Sequence, residues 1–141
     1  MEPTSPTGPI TAEIAMAVVT SAVRRAQELG VRVSVAVVDS GGNLKAFLRM
    51  DGAEIAGPTL AVDKAYTAVA TRLATHEFAG FTQPGQPLFG LHTGAGGRYV
   101  IYGGGIPLVV ADEVVGAIGV SGAAEVEQDV ACATAGARAI S

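Results

Sequence analysis

Apolar residues recur at helical spacing early in the chain. Ile14, Val18, Ala22 and Leu29 form one line, and Ala15, Val19, Val23 and Ala26 widen it into a stripe. Thr11 suits the N-cap, Glu13 meets the positive end of the helix dipole, and Gly30 suits the C-terminal stop. This pattern predicts a helix over 11–29. The run at 33–38 is short, apolar and β-branched, which predicts a buried strand. Asp39-Ser40-Gly41-Gly42-Asn43 is turn chemistry, and 44–50 returns as a second strand of a hairpin. At 58–78 a new helical pattern begins, with Leu60, Lys64, Ala68 and Arg72 on one line and Ala61, Ala65, Val69 and Leu73 beside it.

Segment 81–98 has no periodicity and holds Pro84, Pro87 and five glycines. A loop of this length in a small domain is usually functional or disordered. Residues 99–102 predict a short strand, Gly103-Gly104-Gly105 a turn, and 106–111 and 114–121 two strands joined tightly at Asp112-Glu113. A last helix is expected over 125–139, with Glu125, Glu127 and Asp129 in its first turn. Short turns between neighbouring strands imply an antiparallel sheet. Helices before and after it imply an α+β sandwich of five strands. Residues 1–10, rich in Pro, Thr and Ser, are expected to be a mobile tail ahead of a single domain at 11–141.

Composition narrows the class. Of 141 residues, 49% are hydrophobic but only 5% aromatic, so the apolar mass is Ala and Val. Charged residues are 16%, against a norm of about 25%, which suggests a surface partly covered by another subunit. Net charge is −4, and Arg24-Arg25 is the only basic cluster, which argues against nucleic acid. No apolar run approaches the roughly 18 residues of a membrane span, and no basic leader precedes an apolar stretch. A cytoplasmic protein is expected. Cys132 is alone, which excludes a disulfide framework.

Candidate chemistry rests on few residues. Lys64, on an alanine-rich helix face, needs an acidic partner such as Asp39, Glu125 or Asp129, or a lowered pKa. Arg98, after a glycine-rich run, has a planar fork that suits a carboxylate. Gly103, Gly104 and Gly105 let a ligand approach the backbone, or simply make a turn. His76 and His92 fit no closed metal set, so no metal centre is expected, but either suits a single axial haem position. His92, in the glycine-rich loop, is the better placed.

An ordered set of motifs then resembles one family. The set runs Val35-Ala36-Val37-Val38-Asp39-Ser40-Gly41-Gly42, Phe47-Leu48-Arg49-Met50-Asp51-Gly52-Ala53 and Asp63-Lys64-Ala65-Tyr66-Thr67-Ala68. It continues with Pro84-Gly85-Gln86-Pro87-Leu88-Phe89-Gly90-Leu91, Gly103-Gly104-Gly105-Ile106-Pro107-Leu108, Gly116-Ala117-Ile118-Gly119-Val120-Ser121-Gly122 and Glu127-Gln128-Asp129. Together these resemble the GlcG/HbpS-like proteins, which include the C-terminal domain of PduO-type proteins. The resemblance implies a profilin-like α/β/α sandwich, a homo-oligomer from dimer up to octamer, and haem binding in several members. Many relatives carry His where this chain has Asn43.

Three functions compete at this point. The first is haem or tetrapyrrole binding. The second is a cofactor-free lyase or isomerase acting on a small carboxylated metabolite, with Lys64, Arg98 and Asp39 as its catalytic candidates. The third is an oligomeric scaffold. The ligand-binding candidates are His92, Tyr66, Gly103, Gly104, Gly105, Pro107, Ser121 and Asp129.

Overall fold

The computed structural model describes residues 9–140. Most of the expected tail, 1–8, lies outside them. Ile10 is only 1% exposed and belongs to the core.

Helix α1 (Ala12–Leu29) starts where Thr11 Oγ1 accepts the Ile14 N–H at 3.1 Å, and ends at Gly30 in the left-handed region. Strands β1 (Ser34–Asp39) and β2 (Leu44–Arg49) form the first hairpin. Helices α2 (Gly57–Thr71) and α3 (Thr75–Phe78) follow, then a segment of short turns. Strands β3 (Gly105–Val110) and β4 (Glu113–Ser121) and helix α4 (Val126–Ala137) complete the chain. The sheet order is β2-β1-β4-β3, antiparallel throughout.

The sheet separates two cores, which makes an α/β/α sandwich. On one face α1 and α4 pack through Val18, Val19, Ala22, Cys132 and Ala133 onto Val35, Val37, Ile118 and Val120. On the other, Ala65, Ala68 and Val69 of α2 meet Val38 and Ala117. The small residues set this spacing. A Cβ at Gly119 would lie 2.0 Å from the Ala61 carbonyl oxygen, so only glycine lets α2 approach β4 so closely.

Three expectations change. The sheet has four strands, not five: residues 99–102 join no strand, and the Val100 N–H donates to Thr67 Oγ1 at 3.0 Å rather than to another strand. The expected helix at 58–78 breaks at Arg72, which adopts φ 58°. No Gly or Pro marks that break. It lets Thr75 turn inward, where its hydroxyl accepts the Gly105 N–H at 2.9 Å. The last hairpin turns one residue earlier than expected, on Ala111 and Asp112, both at positive φ.

Candidate functional site

Lys64 enters the interior from the middle of α2 and is wholly buried. Its Nζ donates to the Val120 carbonyl at 2.9 Å and to Asp129 Oδ2 at 3.3 Å, and lies 5.0 Å from the centre of the Tyr102 ring. Asp129, 4% exposed on α4, accepts the Ala123 N–H on its other oxygen at 3.0 Å. The partner that the sequence left open among three acids is therefore Asp129. Burial draws the Lys64 ammonium below 10.5, against the opposing pull of Asp129. Burial likewise lifts the Asp129 carboxyl above 3.8, with Lys64 resisting. Tyr102, half over this pair, has its phenol raised by burial and then by the charges of Asp129 and Glu54.

The glycine turn closes over the same pair. A Cβ at Gly104, whose φ is +128°, would lie 2.4 Å from the Val120 oxygen and 2.7 Å from Lys64 Nζ. One at Gly103 would strike Val130 and Val126, and one at Gly105 the Lys64 carbonyl. All three glycines are buried, so the turn serves close backbone packing. Pro107 sits on the edge strand β3 opposite Ala117, where a missing N–H is tolerated. Ser121, 3% exposed, ends β4 opposite Ser34.

A second cluster forms on another side of α2, at residues that flank Lys64 in the sequence. Arg98 donates through Nε to Asp63 Oδ1 at 3.0 Å, and its guanidinium lies 3.8 Å from the centre of the Tyr66 ring. Tyr99 packs beside Tyr66 at 6.0 Å between ring centres. Asp63 was not anticipated as the partner of Arg98. The legible signal is that Asp63 and Tyr66 stand three residues apart on one helix, so an ion pair and a stacking face share one side. Asp39 joins neither cluster. Its carboxylate accepts the Gly41 N–H at 2.9 Å and the Asn43 N–H at 3.0 Å, and also takes the Asn43 amide. Asp39 and Asn43 together therefore build the hairpin turn.

The third feature is the segment between α3 and Arg98. It exposes Phe81 (48%), Leu88 (40%) and Phe89 (61%). His92 is also exposed there, and its imidazole makes no hydrogen bond or ion pair among the described residues. The sequence showed His92 but not this exposed apolar company. Exposed His76 lies instead beside Gly103, near Val126. No group of three or more His, Cys, Asp or Glu among the described residues is arranged to hold a metal ion. No helix among them is long and apolar enough to cross a membrane.

A family model described as haem degrading protein HbpS-like matches residues 10–138. The chain belongs to the HbpS-like family. It is 45% identical over 105 residues to an uncharacterized 15.0 kDa protein in the dhaT-dhaS intergenic region of Citrobacter freundii, covering 74% of this chain and 73% of that protein. It is 43% identical over 109 residues to the corrinoid adenosyltransferase PduO of Salmonella typhimurium, covering 77% of this chain but only 32% of PduO. The crystal structure of a PduOC:heme complex superposes with a TM-score of 0.89 at 38% identity, covering 94% of this chain and 95% of that one. Membership accounts for the sandwich and for the order of the motifs along the chain.

Proposed function

We propose that this HbpS-like chain binds haem on the exposed face of segment 79–98, with His92 as axial ligand. The observation that carries the reading is the company of His92: Phe81, Leu88 and Phe89 offer apolar area at the surface beside an imidazole without another partner. Large exposed apolar groups of this kind mark binding surfaces. A neutral imidazole is a common haem ligand. The heme complex of PduOC, similar over almost the whole chain, supports the same ligand class. Bound haem would supply iron-centred ligand and redox chemistry; the chain would supply the ligand nitrogen and a surface that excludes water.

In this reading the Lys64–Asp129 pair positions rather than reacts. It ties α2, the end of β4 and the start of α4 together beneath the glycine turn. Exposed apolar groups away from this segment, Met16, Ile55 and Val109, also support a homo-oligomer, because a second copy would cover what the monomer leaves in water.

Titration with hemin tests the reading. A saturating Soret band at a fixed stoichiometry is expected, with His92→Ala weakening binding at least about tenfold and shifting the band, while His76→Ala leaves both unchanged. Unsaturable binding, or loss of the band in His76→Ala alone, overturns it.

A further inference from the structure

A groove of about 410 Å³ lies between the outer face of β2 and the first half of α2, lined by Leu44, Phe47, Pro58, Thr59, Val62 and Asp63. Its volume falls within the range of about 300–1,000 Å³ common to small-molecule sites. Thr59, Val62, Asp63 and Tyr66 stand at helical spacing on one side of α2, so Tyr66 lies about one turn beyond the lining residues Val62 and Asp63. A Cβ at Gly42, in the hairpin turn, would lie 3.3 Å from the Tyr66 ring, which places the turn at that same end.

Arg98 is fixed next to this groove, against Asp63 of its wall. Its Nε is held by Asp63, and its plane is held on Tyr66. Its side chain is 39% exposed. Its two terminal nitrogens make no hydrogen bond among the described residues, so the outer edge of the fork is free. A guanidinium already oriented by a carboxylate and a ring loses little freedom when it donates to a second carboxylate, and planar bidentate pairing is what such a fork favours. The walls beside it are mostly apolar, and the Thr59 hydroxyl makes no hydrogen bond among the described residues.

We propose that this groove binds a small organic monocarboxylate, with its apolar body over Phe47 and Val62 and its carboxylate on the outer edge of Arg98. Asp63 sets the charge limit. Its own negative charge, on the groove wall, disfavours a second anionic group on the ligand. This site does not rest on the haem reading. Its apolar wall comes from Phe47 of the β1–β2 hairpin and Val62 of α2, and Arg98, although it ends segment 79–98, is anchored to Asp63 and Tyr66 of α2 and not to His92.

The probe is 3-phenylpropionate, compared with its neutral amide, in amide-resolved NMR titrations of the full chain. Saturable shifts at Leu44, Phe47 and 59–63 are expected, with the amide at least about tenfold weaker. Arg98→Gln should bring the acid down to the level of the amide. Arg98→Lys, which keeps the charge and loses the fork, should fall between them. Phe47→Ala should weaken acid and amide alike, and His92→Ala should change neither. Equal binding of acid and amide overturns the proposal. So do shifts confined to another surface, or a folded Arg98→Lys variant that binds the acid as wild type does. Displacement of the probe by one equivalent of haem would overturn its independence from the haem site.

Discussion

Lys64 and Asp129 form an ion pair out of reach of water, and each holds the other's charge in place. Removing one partner leaves the other charge buried and uncompensated, which typically costs about 3–5 kcal/mol. Replacing both with apolar residues of similar volume is commonly neutral or stabilising. Lys64→Met and Asp129→Leu should therefore each lower stability by several kcal/mol in urea unfolding, while the double variant recovers most of the loss. Singles that cost no more than the double would show that the charges do not depend on each other. The pH dependence follows from the directions of the shifts. Lys64 is lowered, so between its folded value and 10.5 the unfolded chain binds more protons, and stability rises with pH across that window. Asp129 is raised, so its contribution is full below 3.8 and is lost as pH rises through the folded value. The double variant should lose both slopes. Here the sequence was partly legible. A lysine on an alanine face announces a buried partner, but Asp129 stands 65 positions away, and only the approach of α4 to β4 selects it over Asp39. Asp39 was unreadable for the opposite reason: its partners are its neighbours' backbone N–H groups, and turn chemistry hid its carboxylate from any longer-range role.

At the scale of elements, helix ends with side-chain or glycine caps were legible, and breaks imposed by packing were not. Thr11 and Gly30 bound α1 by local chemistry alone. The break at Arg72 answers to Thr75 and Gly105, on different parts of the chain, so no local signal carries it. The stretch at 99–102 misled in the same way. Its residues are β-prone, but the N–H of Val100 is taken by a threonine of α2, and the stretch joins no ladder. The β3–β4 turn offers a direct test of local chemistry. Ala111 at φ 50° and Asp112 at φ 65° occupy the left-handed region, which costs a residue with a Cβ about 1 kcal/mol or more. Asn-Gly is the favoured pair for such a turn. Ala111→Asn with Asp112→Gly should raise stability by about 1 kcal/mol, read as a higher urea midpoint at unchanged slope. A lower midpoint would show that the turn is held by something other than its own conformational preference.

For the whole molecule, the sandwich and the segment 79–98 carry different burdens. The sandwich is built from Ala, Val and Gly in close contact, and its stability resides in the two cores on either side of the sheet. The order of helical and strand patterns and the short turns between strands made the α+β sandwich readable, while the small-residue helix faces announced its close packing. Segment 79–98 contributes little to either core beyond its ends. Its large side chains Phe81, Leu88 and Phe89 face water, so they add little to the burial that stabilises the sandwich. Phe89, 61% exposed, separates the two burdens. Phe89→Asp should shift unfolding by no more than about 0.5 kcal/mol, as expected of a surface position away from any packed feature. The same change removes apolar area beside His92 and adds a negative charge that haem propionates would meet. Hemin affinity should therefore fall at least about tenfold while the thermal midpoint stays in place. If both fell together, Phe89 would be part of the packed structure and the surface reading of this segment would fail. If neither moved, haem would have to bind elsewhere, with the face of His76, Gly103 and Val126 next to be tested.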